Sequence, residues 1–332
     1  MPLPPAMKAL VVDPPGRISL REVPVPPLAH GECRVALRMA GICRTDLELV
    51  KGYMEFSGIP GHEFVGDVVE GPQRLVGRRV VGEINAGCGE CEECRSNQSR
   101  HCARRTVLGI YKRPGAFAEF LALPERTLIA VPDNVSDEEA VFTEPLAAAL
   151  EIFEQIHIPP ASRVLAVGDG KLGLLIAQVF AHFGSRVTLV GRNPKKLALA
   201  ERWGVETFCN EPRPQGSGSK NFPTRFDHIV ECSGSPDGLA YALKHIAPRG
   251  TLVLKSTYSP SAAPAIDWAK IVVDEIRLVG SRCGRFAPAL RLLARGAIDV
   301  RSMIDHRTTL AQGMEAFELA ARKGVLKVVM TM

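Results

Sequence analysis

The chain has 332 residues, 46% of them hydrophobic and 23% charged, a balance that excludes a disordered or fibrous protein. Lys and Arg number 41 against 36 Asp and Glu, a formal net charge of +5, too small and too scattered to call for nucleic acid or an acidic membrane as partner. No apolar run reaches the roughly 18 residues that a bilayer-spanning helix needs, because Asp169, Lys171, Gln178, His182 and Arg186 interrupt the greasiest stretch. A small-molecule substrate is the expected partner.

The first nine residues are proline-rich and carry one lysine, with no apolar segment ahead of a small-residue cleavage site, so cytoplasmic residence is the default expectation. Thiols stay reduced there, and a chain this long buries a core without staples. Its nine cysteines therefore call for a reason other than disulfides. Up to about residue 145, short runs with strand character at 9–12, 33–39, 65–69, 79–81 and 117–122 are separated by Gly and Pro turns, which predicts a twisted β-barrel or sandwich.

Within that region Gly41-Ile-Cys43-Arg-Thr45-Asp46 is followed by Gly61-His62-Glu63, and later by Thr143-Glu144-Pro145-Leu146. Each is weak alone, since a lone Cys is usually a small buried hydrophobe and a lone His-Glu a satisfied pair. Together Cys43, His62, Glu63 and Glu144 supply the mixed donor set of a zinc that keeps one position open for substrate. Between them lie Cys88, Cys91, Cys94 and Cys102, spaced x2, x2 and x7 in a loop with Gly87, Gly89 and Glu90. Four thiolates close a tetrahedral site, so this second zinc would be structural. An iron–sulfur cluster is a minor competitor, as the spacing lacks a Cys-Pro ending. A nucleic-acid-binding ribbon is disfavoured because Glu90, Glu92 and Glu93 would repel phosphate.

From Ser162 onward apolar strands alternate with helical stretches, beginning with a strand at 164–167 and a helix at 172–183. Further strands are expected at 187–190, 227–231, 251–255 and 277–280, the grammar of a doubly wound parallel sheet. Gly168-Asp-Gly170-Lys171-Leu172-Gly173 joins the first strand to its helix, the context a dinucleotide fingerprint requires. Gly168 makes the tight turn, Gly170 lets the backbone approach a pyrophosphate, and Gly173 lets helix pack on strand. At the end of the second strand, where an NAD enzyme places Asp or Glu, the chain reads Gly191-Arg192-Asn193-Pro-Lys195-Lys196. Room at Gly191 and the cations of Arg192, Lys195 and Lys196 favour NADP over NAD; the alternative is a solvated Arg192 and NAD held by other contacts. Residues 209–226, rich in Pro, Gly, Ser and Lys, read as a loose surface loop. Helices are expected at 287–295 and 310–323, and a last strand at 327–330 that returns to the first domain.

The segments GICRTD, GHEFVGDVVE, the four-cysteine loop, TEPLAAAL and VLAVGDGKLG occur in the order found in zinc-dependent medium-chain alcohol dehydrogenases. The chain resembles that family over nearly its whole length, most closely the branch of sorbitol, threonine and glucose dehydrogenases. The resemblance implies an α/β protein: a GroES-like β-barrel catalytic domain over 1–145, completed by 286–332, and a Rossmann domain over 146–285. It also implies two zinc ions per chain. The catalytic one would be held by Cys43, His62 and Glu63, with Glu144 able to approach it, and Thr45 would pass the substrate proton outward. Asp46 would orient His62. Where many relatives carry a histidine at the outer end of the proton relay this chain has Glu48, which either takes the proton or is merely solvated. A homodimer or homotetramer is the family expectation, with the strand at 277–280 as a pairing edge. The rival readings are a zinc-free quinone or enone reductase on the same scaffold, and a non-catalytic dinucleotide-binding protein.

Overall fold

The computed structural model describes residues 3–13, 16–210, 225–257 and 266–332. The loop expected over 209–226 lies for the most part outside the described residues. The chain divides into two compact units, one of residues 1–144, 285–296 and 300–332, the other of 145–284 and 297–299.

In the first unit, Glu32–Gly41 is the organising strand. It pairs antiparallel with Glu63–Glu70, with Phe120–Pro124 and with the final strand Lys327–Thr331, in a seven-stranded sheet that ends in Leu128–Ala130 on one side and Ile304–Thr309 on the other. Central position explains composition: Cys33, Val35 and Ala40 are fully buried, as are Val328 and Met330, whereas Ile304–Thr309 alternates half-buried and exposed residues as an edge strand does. The register sets Gly41 opposite both Glu63 and Val329. Two strand ends and the middle of the last strand thereby meet at one point.

The second unit holds six parallel strands in the order Glu206–Cys209, Arg186–Gly191, Arg163–Val167, Phe226–Glu231, Ile246–Leu254, Arg277–Gly280. Helices Lys171–His182, Pro194–Glu201 and Pro236–His245 connect them. The order reverses beside Arg163–Val167, the switch point at which doubly wound sheets bind ligands. Strands buried on both faces need unbroken apolar runs: Val164, Leu165, Ala166 and Val167 are all buried, and Leu165, Val167, Ile229 and Leu252 pack with Phe226, Leu239 and Ile246 in one core cluster. Each such side chain contributes about 1.5–3 kcal/mol when fully buried.

Several elements differ from the sequence expectation. The strand expected at 117–122 begins at Phe120; the residues before it are tied instead to the first strand, through Leu10 N–H to Phe117 O at 2.8 Å and the bridge Ala9–Ala118. The helix expected over 310–323 is a 3-10 turn, Leu310–Gln312, followed by Gly313–Ala321. Arg17–Pro24, a strand with no buried residue, was not foreseen. No helix among the described residues is long and apolar enough to cross a membrane.

Candidate active site

The strand ending at Gly41 leads through Ile42 and Cys43 into the helix Arg44–Val50. Cys43 is the residue before the helix, and its backbone N–H donates to Asp46 Oδ2 at 2.8 Å, which fixes the turn. Asp46 Oδ1 in turn accepts the Gly61 N–H at 3.2 Å and lies 3.1 Å from His62 Nδ1. Gly61 has φ +102°, and a Cβ there would come within 2.9 Å of Phe117, so only glycine lets the chain turn into His62 at this distance. With Nδ1 facing the carboxylate, Nε2 remains as the nitrogen for a metal.

Cys43, His62 and Glu63 each present a ligand atom within 4.8 Å of the others. Burial opposes charge on His62, yet the Asp46 carboxylate and the Cys43 thiolate draw its pKa well above the ordinary histidine value; the pocket attracts positive charge. Glu63 Oε2 accepts from the ammonium of Lys327, and both side chains are essentially without solvent exposure, 1% and 0%. Lys327 Nζ also sits 5.0 Å from the centre of the Phe142 ring. Gly41 makes room for this pair, since a Cβ there would stand 2.7 Å from Glu63 Oε2. The other carboxylate oxygen, Glu63 Oε1, is buried and has no hydrogen-bond partner among the described residues. A buried anionic oxygen left unpaired is costly, and a divalent cation bound with Cys43 and His62 would satisfy it. The donor set therefore fits zinc.

Glu144 does not belong to that convergent group; it is half-buried in the first turn of the helix Thr143–Gln155. Thr45 Oγ1 lies 3.9 Å from Cys43 Sγ. Glu48 lies on the helix surface 2.9 Å from Arg44 and 3.2 Å from Lys51. Lys327 was missed at the sequence level. Its signal is a lysine inside the apolar run Leu326-Lys-Val-Val-Met330, because a buried ammonium requires a buried acid.

Cys88, Cys91, Cys94 and Cys102 also gather within 4.8 Å of one another. A Cβ on Gly87 would come within 2.7 Å of Cys94 Sγ, and the Cys88 N–H donates to Cys102 Sγ at 3.4 Å. The Glu90 backbone N–H leads the influences that lower Cys88 to about 6, and the Cys88 N–H leads those that lower Cys102. Cys91 is pushed far up: the Cys94 N–H favours its thiolate, but Glu93 and burial outweigh it. Four thiolates at this separation repel one another, and a divalent ion removes the conflict. All nine cysteines are described and none forms a disulfide.

In the second unit the strand Arg163–Val167 ends at Gly168, φ +119°, where a Cβ would strike Ser233 at 2.8 Å; a Cβ on Gly173 would stand 1.9 Å from Gly168 O. Both glycines are steric necessities of the strand-to-helix turn. Gly170 differs: nothing lies within 4 Å of its Cβ position, and it immediately precedes the helix that begins Lys171, Leu172. The open side at a helix amino terminus fits a pyrophosphate. Asn193 caps the next helix through Lys195 N–H at 3.0 Å, Gly191 ends the second strand, and Arg192 is exposed.

The chain is similar to known proteins over nearly its whole length. Residues 29–133 match the model of the alcohol dehydrogenase GroES-like domain, and residues 172–295 that of the zinc-binding dehydrogenase. An L-threonine 3-dehydrogenase of Chelativorans sp. (strain BNC1) is 30% identical, with 98% of each chain covered. A zinc-binding dehydrogenase of Sinorhizobium meliloti 1021 bound to NADP superposes with a TM-score of 0.88 at 29% identity, over 98% of this chain and 99% of that one. A protein of Escherichia coli CFT073 described as a short chain alcohol dehydrogenase, complexed with NADH, gives 0.89 at 25%, over 99% and 100%.

Proposed function

The chain belongs to the zinc-dependent medium-chain dehydrogenase/reductase family, and on that premise we propose that it transfers a hydride between a secondary alcohol, polyol or sugar-like substrate and a nicotinamide dinucleotide. The observation that carries the reading is the buried, partnerless Glu63 Oε1 beside Cys43 and His62. These three residues would hold the catalytic zinc. Glu144, outside the convergent set, would be a carboxylate able to approach the metal. Cys88, Cys91, Cys94 and Cys102 would hold a second, structural zinc.

Zinc bound at the first site supplies Lewis acidity to the substrate oxygen, favouring loss of the hydroxyl proton near neutral pH. The chain's own residues do the rest. Asp46 fixes the His62 ring, Lys327 fixes one oxygen of Glu63, and Thr45 Oγ1, beside Cys43, passes the hydroxyl proton toward solvent. Gly168, Gly170, Lys171, Leu172 and Gly173 form the pyrophosphate turn, and Gly191, Arg192 and Asn193 border the adenosine ribose. The Arg192 cation favours NADP; the Asp169 carboxylate, which fills the space beside Gly191, opposes it.

A homodimer or homotetramer is part of this proposal, supported by the edge strand Arg277–Gly280 and by Trp268, Val272 and Val273, which are 63%, 75% and 79% exposed. Cytoplasmic residence suits nine unpaired thiols. The experiment is a panel of secondary alcohols, polyols, sugars and β-hydroxy amino acids offered with NAD and NADP to protein of measured zinc content. Reduced nicotinamide from at least one substrate is expected. Bound nucleotide and zinc with no turnover across the panel would overturn the enzymatic reading in favour of a dinucleotide-binding protein.

A further inference from the structure

The variable position inside the glycine turn is an acid, Asp169, and its carboxylate does not point to solvent. Asp169 Oδ2 accepts the backbone N–H of Arg192 at 2.8 Å and of Asn193 at 2.6 Å. These two groups follow directly on the strand Arg186–Gly191, where a Rossmann fold reads the adenosine ribose. Parallel pairing of Val167 with Val190 brings the two strand ends side by side. The residue that ends the second strand, Gly191, has no side chain to offer, and none would fit: a Cβ there would stand 2.4 Å from Asp169 Cβ and 2.5 Å from Oδ2. The acid missing from the second strand is thus delivered from the neighbouring turn, and Gly191 is the space that admits it.

We infer that Asp169 selects the cofactor, accepting the adenosine ribose hydroxyls and rejecting a 2′-phosphate, so that the protein prefers NAD over NADP. The inference rests on the reading above that the chain binds a nicotinamide dinucleotide. Oδ1 of the half-buried carboxylate takes no hydrogen bond among the described residues and remains to accept a hydroxyl. A 2′-phosphate would find the two N–H groups best suited to it already engaged, and a like charge in front of them. The sequence-level preference for NADP weighed Arg192 against an apparently absent acid; with the acid present, the balance reverses. Arg192 is exposed, and a guanidinium held in water gains little from a single phosphate contact.

The test is fluorescence titration of the zinc-loaded protein with NADH and NADPH, which reads binding without turnover. Wild type is expected to bind NADH tighter by roughly tenfold or more, and Asp169→Ser to shift the ratio toward NADPH by roughly tenfold. Asp169→Asn, which keeps the acceptor and removes the charge, should shift it in the same direction and serves if the serine variant fails to fold. Wild-type protein that binds NADPH as tightly as NADH, or Asp169 variants that keep the NADH preference, would overturn the inference while leaving the dehydrogenase reading intact. Binding of neither nucleotide would overturn both.

Discussion

The two candidate metal centres gather their donors within the same 4.8 Å but are built in opposite ways. Cys88, Cys91, Cys94 and Cys102 come from one loop, shaped by local turns and by Arg104, whose guanidinium lies 3.2 Å from Cys88 Sγ and 2.7 Å from Glu90. Cys43 comes from one strand end and His62 and Glu63 from another, and the pocket is completed by Lys327, 264 residues from its partner Glu63. Four thiolates would saturate a tetrahedral ion and leave no position for substrate. The other offers three donors, one of them an acid with a buried oxygen unpaired. A closed site serves stability and an open one serves chemistry, and the difference lies in donor count and in how far the fold must reach to assemble them.

That contrast is broken most sharply by exchanging the consequences of losing one cysteine. Cys43→Ala should cut kcat/KM by about a thousandfold or more, since the metal electrophile is worth several kcal/mol, while the thermal midpoint stays near wild type and one zinc per chain remains. Cys91→Ala should do the reverse: about 4 kcal/mol or more of stability lost, with turnover per folded molecule within about threefold. Calorimetry, metal analysis and kinetics on both variants decide it. Equal losses of activity in the two would erase the distinction between a structural and a catalytic centre.

Next in size is the buried pair behind the open site. Lys327→Met removes the ammonium that faces Glu63 and, in protein stripped of metal, should cost about 3–5 kcal/mol. Adding Glu63→Gln should recover much of that stability but none of the activity, a coupling that denaturant titration of the four proteins in the cycle measures. Independent, additive effects would mean that Lys327 does not act through Glu63.

The smallest effects separate neighbours on one helix. Thr45→Val should lower kcat by about a hundredfold, the size of a lost proton-transfer group. Glu48→Gln, whose carboxylate is held by Arg44 and Lys51, should leave the pH profile of turnover unchanged and cost at most about 1 kcal/mol. A profile displaced by Glu48→Gln would restore that residue to the proton path.

The same contrast governs what was legible in the sequence. The four-cysteine loop and the glycine turn announce themselves because spacing along the chain is the structure there. The parallel sheet was readable as well, since strands buried on both faces, such as Val164 to Val167, are apolar throughout. Cys43, His62 and Glu63 were weak signals one by one and acquired meaning as a mixed donor set, which the resemblance to a family reinforced. Lys327 was not legible, because its role depends on pairing between the last strand and Glu32–Gly41. Asp169 was read merely as the variable residue of a motif; that it reaches Arg192 and Asn193 follows from the register of two parallel strands. The exposed strand Arg17–Pro24 carries no alternation of burial that a sequence pattern could report.

The central claim is that this fold holds two metal ions of different kind, one of them reached by Cys43, His62 and Glu63. Anomalous diffraction on either side of the zinc absorption edge, from crystals of fully metallated protein, measures it directly. The account predicts two peaks per chain, one inside the four-cysteine loop and one bounded by Cys43, His62 and Glu63. A single peak, confined to the loop, would contradict it.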